Sequence, residues 1–277
     1  PASGLYVSYN RGYTWAIKDD TRSSWVGFSP LNPALIVSSG PGLLRISSDA
    51  GSTWEYAGYD SSQPATVQFD AVDANLLHLA LAGGALYTYD LATNSLTPKP
   101  SDLPYGNITS YLILPTDPAQ HIAFVENSGL FTSTDSGNTW TKDSTVPAGN
   151  SGKLAVAPSS PSTLYLSRDD ELYSSTDSGS TWNTLVMVST APIAGFVVDT
   201  QNPLQVTVAW VGYAVMQYNF QNSTAKDLTG GLPTLDFTGL SYGDATNTVL
   251  VVTTKAHGVQ ALGDIPPKMI FMPVVVR

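Results

Sequence analysis

Apolar residues in this chain come in short runs rich in Leu, Val, Ile and Tyr, broken every few residues by Pro, Gly, Asn, Asp and Ser. Such runs read as β-strands, because proline fixes φ and asparagine or aspartate tolerates left-handed geometry in the turns between them. The runs recur in a fixed order. Leu5-Tyr6-Val7, Leu44-Arg45-Ile46, Leu130-Phe131-Thr132 and Leu172-Tyr173-Ser174 are each followed at once by a polar octet. It reads Ser47-Ser48-Asp49-Ala50-Gly51-Ser52-Thr53-Trp54, then Ser133-Thr134-Asp135-Ser136-Gly137-Asn138-Thr139-Trp140, then Ser175-Thr176-Asp177-Ser178-Gly179-Ser180-Thr181-Trp182. The N-terminal copy is a variant, Ser8-Tyr9-Asn10-Arg11-Gly12-Tyr13-Thr14-Trp15. Leu86–Asp90 and Val215–Asn219 keep the strand without the octet, and Gly258–Leu262 matches by position. Taking Ser8, Ser47, Tyr89, Ser133, Ser175, Tyr218 and Leu262 as equivalent, the steps are 39, 42, 44, 42, 43 and 44 residues.

A second marker falls between the octets: an apolar strand, a Pro/Asp turn, and another strand. Trp25–Phe28 precedes Pro30-Leu31-Asn32-Pro33, and Tyr111–Leu114 precedes Pro115-Thr116-Asp117-Pro118. Leu154–Val156 with Pro158 to Pro161, and Phe196–Val198 with Asn202-Pro203, repeat it. Each unit therefore holds four short strands joined by hairpins, the length and content of one blade of a β-propeller. A lone four-stranded blade cannot bury both faces, so blades must stack on one another. The expectation is all-β: a single β-propeller domain over residues 1–277, with seven blades, or six as the alternative. The N-terminus supplies the third and fourth strands of a blade, and Met269–Val276 is expected to close that blade so that no edge stays open. The alternative use of the 265–277 tail is to dock a partner.

The Ser-x-Asp-x-Gly-x-Thr-Trp octet resembles the Asp-box, or bacterial neuraminidase repeat. That repeat occurs in propellers of sialidases, xyloglucan-cleaving glycoside hydrolases, sortilin-type receptors and photosystem II assembly factors. The resemblance covers essentially the whole chain and places the octet at the hairpin between the third and fourth strands. There Asp49, Asp135, Asp177 and Asn10 are expected to accept backbone N–H bonds across the turn, with Trp15, Trp54, Trp140 and Trp182 packing back on the sheet. These residues are read as structural fasteners.

Composition narrows the function. Lys and Arg number 12 against 22 Asp and Glu, a formal net charge of −10, so the cationic footprint of a nucleic-acid binder is missing. Three Glu and seven Lys leave little material for long solvated helices. With no Cys there is no disulfide framework and no thiolate nucleophile. No apolar stretch approaches the ~20 residues that span a bilayer. The chain opens at Pro1 rather than Met, as expected once a signal peptide has been removed or left out.

A sialidase needs three arginines converging on a substrate carboxylate. The five here are Arg11, Arg22, Arg45, Arg168 and Arg277, one of them inside an octet and one terminal. Glycoside hydrolysis in general needs two carboxyl groups ~5–10 Å apart. The best local pool is Asp169, Asp170 and Glu171, beside Arg168 in a loop between second and third strands. Its other reading is a solvated hairpin with a surface ion pair. His78, His121 and His257 lie on different blades with no metal-ligand spacing and no acidic neighbour, so neither a metal nor a cofactor is expected. Gly83-Gly84 reads as a hairpin turn. Asn107-Ile108-Thr109 and Asn222-Ser223-Thr224 match glycosylation sequons of a kind that arises often by chance.

Trp25, Trp210 and Tyr213 lie outside the octets near one set of loops, where they suit sugar stacking or a protein hot spot; burial between blades is their plainer reading. With Arg168 and His257 they form the expected binding set. The combined expectation is a non-enzymatic, extracytoplasmic binding or assembly propeller. Its partner is a protein or a glycan, and it serves as an accessory subunit of a membrane or cell-surface complex. The alternative is a glycan-active enzyme using Asp169, Asp170 and Glu171.

Overall fold

A computed structural model describes residues 4–8, 16–21, 23, 25–59, 66–185, 189–230, 232, 234–242, 250–255, 258–262 and 270–274. Their strands follow one rule. Within a sheet each new strand turns back on the last, so consecutive strands pair antiparallel, and five of the seven sheets hold four consecutive strands.

β1 (Gly4–Ser8) and β2 (Ala16–Asp19) open the first sheet. The second holds β3 (Trp25–Phe28), β4 (Ile36–Gly40), β5 (Leu43–Ser47) and β6 (Glu55–Gly58). The third holds β7 (Thr66–Phe69), β8 (Leu76–Ala80), β9 (Leu86–Asp90) and β10 (Ser95–Lys99). The fourth has β11 (Ile108–Leu114), β12 (Asp117–Val125), β13 (Gly129–Ser133) and β14 (Thr141–Lys142). The fifth has β15 (Gly152–Ala157), β16 (Ser160–Arg168), β17 (Glu171–Ser175) and β18 (Asn183–Leu185). The sixth has β19 (Ile193–Val198), β20 (Gln205–Trp210), β21 (Val215–Asn219) and β22 (Thr224–Asp227). The seventh has β23 (Phe237–Tyr242), β24 (Leu250–Thr254) and β25 (Gly258–Leu262). β26 (Ile270–Val274) lies beside β1, in the order β2-β1-β26. The described residues include no α-helix, only a turn of 3-10 helix at Ala82–Gly84.

The chain divides into two compact units. One comprises Pro1–Val7, Ala16–Ala148 and Phe271–Arg277; the other comprises Ser8–Trp15 and Gly149–Ile270. Each builds its core the same way, from side chains of neighbouring sheets facing one another. In the first unit Leu35, Val37 and Leu44 of the second sheet meet Val67, Leu77 and Leu79 of the third. Ala80 and Leu86 then meet Tyr111, Ile113 and Ala123 of the fourth. In the second unit Tyr165 and Leu172 meet Phe196, Val206 and Val208, and Ala209 and Val215 meet Phe237 and Val252. Burial of each of the larger aliphatic and Phe side chains among them is worth about 1.5–3 kcal/mol.

Burial is graded across a sheet. β4 is buried along its whole length, whereas β22 is exposed at every residue. The second and third strands are covered on both faces; the fourth is a sheet edge, and its short, polar sequence suits an edge exposed to water.

Candidate functional site

Between β13 and β14 the octet closes around one carboxylate. Asp135 Oδ1 accepts the N–H groups of Asn138 at 3.1 Å and Thr139 at 2.9 Å and the Ser133 hydroxyl at 2.8 Å, while Oδ2 accepts the Thr139 hydroxyl at 2.7 Å. Ser133 Oγ in turn accepts the Gly137 N–H at 2.8 Å. Ser136 and Gly137 both have positive φ, 61° and 84°, and a Cβ on Gly137 would lie 2.9 Å from His121 Nδ1. Glycine is needed there for both reasons. Trp140 Nε1 donates to Gly137 O at 2.9 Å. Asp49 and Asp177 repeat the arrangement with Thr53 and Thr181. Bonds from Thr53 and Ser47 lower the Asp49 carboxyl to about 2, and those from Thr181 and Ser175 bring Asp177 to the same value. Each carboxylate spends its lone pairs inside its own turn. Asn10 and Trp15 lie outside the described residues.

The acidic pool occupies the opposite end of the third strand, in the second unit. Arg168 and Glu171 face each other across the β16–β17 ladder, and the guanidinium donates to the Glu171 carboxylate, which also accepts the Tyr173 hydroxyl at 2.6 Å. Arg168 Nη1 lies 3.7 Å from Asp169. Asp169, at a φ of 51°, accepts the Asn150 N–H at 3.2 Å. The Tyr173 bond, followed by the Arg168 bond, holds the Glu171 carboxyl below the usual range. A glycosidase acid keeps its proton near neutral pH through a raised pKa; Glu171 is set the other way.

Backbone bonds lead from this turn to the aromatic one. Ile193 N–H donates to Asp169 O at 2.8 Å, Val211 N–H to Pro192 O at 2.9 Å, and Gly212 N–H to Leu235 O at 2.7 Å. Trp210 to Ala214 form a turn closed by the Trp210 N–H on Ala214 O at 2.9 Å. Trp210 itself is 0% exposed and packs edge-on against Tyr218 and Tyr213, with ring centroids 5.9 and 6.3 Å away. This corrects the placement of Trp210 in the binding set: its ring is core. Tyr213 keeps its outer side in water, 48% exposed, as Val211 and Leu235 are also exposed. Trp25 is half-buried and tilts against Phe69, centroids 6.2 Å apart. His257 lies outside the described residues.

In the first unit the β8–β9 turn repeats that geometry, with Leu81 N–H on Ala85 O at 2.8 Å. Here the exposed aromatic is Tyr105, which sequence reasoning passed over. The available signal was Gly83-Gly84, whose missing side chains leave the space in which Tyr105 sits.

The histidines require a second correction. His78 Nε2 lies 2.9 Å from Asp70 Oδ2, and the rings of His78 and His121 approach to 6.0 Å between adjacent sheets. His121 Nδ1 is 2.6 Å from the Tyr111 hydroxyl, and its Nε2 is 3.0 Å from Pro118 O. Burial, helped by nearby Lys99, lowers His121 to about 4. No group of three or more His, Asp or Glu suited to a metal occurs among the described residues.

A shallow pocket between the second and third sheets is lined by Glu55, Tyr56, Ala57, Gly58, Tyr89, Asn94 and Leu96. Glu55 has no second carboxylate beside it in that lining, so the pocket lacks the pair that hydrolysis needs.

No family model and no curated protein matches this sequence. Solved structures do. An ancestral GH74 enzyme is similar over 98% of this chain, at 14% identity and a TM-score of 0.72. The match spans only 40% of that enzyme's length. A chain of a mitotic checkpoint complex is similar over 94% of this chain and 81% of its own, at 10% identity and a TM-score of 0.73. Both are propeller-type folds, and this chain shares that fold.

Proposed function

We propose that this chain is a non-enzymatic binding or assembly propeller, acting outside the cytoplasm, that presents the second-to-third-strand turns of its sheets to a protein partner. One structural neighbour is an enzyme and another belongs to a multiprotein complex, so the site must decide rather than the fold. The observation that carries the reading is the exposed group Val211, Tyr213 and Leu235, mounted on the buried Trp210 and rimmed by the Arg168–Glu171 turn. An aromatic anchored on rigid core with a charged rim is the anatomy of a protein hot spot. The low charge content and Ser/Thr-rich surface favour service outside the cytoplasm, as an accessory subunit of a membrane or cell-surface complex. No helix among the described residues is long and apolar enough to cross a membrane.

The test is co-purification from the native cell envelope with wild type and with Tyr213→Ala. A stoichiometric partner held by wild type and bound about tenfold or more weakly by the variant is expected. A partner that binds both alike overturns the proposal. The alternative, a glycan-active enzyme or a glycan binder, draws on the adjacent Asp169, Asp170 and Glu171. Turnover of a glycoside panel that disappears in the Asp169→Asn/Glu171→Gln double variant would establish it.

A further inference from the structure

We propose that the β8–β9 turn of the third sheet, with Tyr105 laid across it and Glu126 bonded to Asn107 two residues further along, is a docking site for an arginine side chain of a protein partner. It deepens the binding reading above and rests on it. Tyr105 is 91% exposed, the most open of the large hydrophobic side chains described. It is nevertheless held: a Cβ on Gly83 would come 3.1 Å from Tyr105 Cε2, and one on Gly84 would come 2.7 Å from Pro104 O. Both glycines have positive φ, 86° and 84°. The turn therefore has no side chain where the ring lies, and the ring rests on backbone with most of its surface in water.

Two residues on, Asn107 Nδ2 donates to Glu126 Oε2 at 2.7 Å, and the Glu126 N–H donates to Asn107 O at 2.9 Å. These bonds fix the carboxylate at the β12–β13 turn. Among the described residues no Lys or Arg forms an ion pair with it, unlike Glu171 in the second unit, which has Arg168.

An open tyrosine face attracts cations through its quadrupole. A carboxylate with a free oxygen asks for N–H donors. Guanidinium supplies both, because it is planar, stacks on aromatic rings and carries donors along its edge. The net charge of −10 adds long-range attraction for a cationic segment. A purely apolar partner would leave the Glu126 carboxylate without a cation.

The experiment is an amide chemical-shift titration of the whole chain with acetyl-Gly-Arg-Gly-amide, alongside its citrulline isostere and cellobiose. Saturable shifts centred on Gly83, Gly84, Gly106 and Glu126 are expected with the arginine peptide. Tyr105→Ala should weaken binding about fivefold, and Glu126→Gln about threefold. Tyr105 is exposed and Glu126 half-buried, and an unchanged spectrum elsewhere checks that the variants fold. Equal shifts with citrulline, shifts unaffected by Tyr105→Ala, no saturable shift, or a response to cellobiose alone each overturn the proposal. The peptide needs no native partner. A silent titration thus removes the arginine site while leaving Tyr213-dependent co-purification standing, and the reverse result removes only the broader reading.

Discussion

The turns between third and fourth strands come in two kinds, and the difference separates what a propeller sheet needs from what reinforces it. In the third and sixth sheets the ladder runs right up to a short turn: Asp90 pairs with Ser95, and Asn219 with Thr224. In the fourth and fifth the ladder stops at Thr132↔Thr141 and Ser174↔Asn183, and the octet spans the gap. β14 and β18 are accordingly only two and three residues long, against five in β10. Yet one bond is common to both kinds. Ser136 N–H donates to Ala119 O at 2.8 Å and Ser178 N–H to Ser162 O at 2.9 Å; in the plain sheets Leu91 N–H donates to Asn75 O at 2.8 Å and Phe220 N–H to Leu204 O at 2.9 Å. The backbone tie to the start of the second strand, or to the turn just before it, persists without the octet. What the Asp clasp adds is a substitute for missing strand pairing.

The largest expected effect that tests this contrast is at Trp182, 7% exposed, whose Nε1 donates to Gly179 O at 3.1 Å. Trp182→Ala should cost about 3–5 kcal/mol in denaturant unfolding. A loss no greater than that of an exposed side chain would show that the ring is not what seats the octet.

Acidity separates the two kinds of turn along a different axis. His121 sits beneath the Gly137 turn and faces His78 and Tyr111, with Lys99 and Asp70 near by. Its folded pKa is depressed to about 4 from 6.5, so the folded state resists the proton that the unfolded chain takes up. Stability is full above pH 6.5 and falls progressively as pH drops from there toward 4, by up to about 3 kcal/mol. The depressed octet carboxyls, Asp49 and Asp177 near 2 against 3.8, are also stabilising above their unfolded value and lose that contribution only as pH falls from about 4 to 2. Thermal melts from pH 7 to 2 should show two successive declines. His121→Phe should reduce the first, leaving the part owed to His78, whose pKa burial also lowers, and should leave the second unchanged.

Asp177→Ala comes next: it removes the acceptor of three hydrogen bonds in one turn, from the Ser175 hydroxyl, the Thr181 N–H and the Thr181 hydroxyl, and should lower Tm by ~5 °C. Smallest is Asp90→Ala in the plain third sheet, where Oδ1 accepts Ala92 N–H at 2.8 Å and Thr93 N–H at 3.2 Å; a shift of ~1 °C is expected. Equal shifts for Asp177 and Asp90 would erase the distinction between clasped and plain turns.

The repeat spacing and the octet made the sheets legible in advance, because both depend on residues close in sequence. Interleaved short strands and polar turns allow little else. The candidate site was legible only in part. Arg168 to Glu171 form a hairpin whose charges pair with one another, and adjacency in sequence already implied that reading. Trp210 and Tyr213 differ by three positions, yet one is core and the other exposed, and no local pattern distinguishes them. Tyr105 carried no motif at all.

By itself, then, the sequence determined the all-β character, the length of each unit and the chemistry inside each octet, since a turn of eight residues closes on its own donors and acceptors. Only the tertiary structure decided which aromatics reach water, that Asp70 stands beside His78, that two histidines of different sheets meet, and that a glycine pair leaves room for Tyr105. Those facts depend on which faces of separate sheets come together. Side chains dozens of residues apart are placed by packing between sheets, and local pattern holds no record of that neighbour.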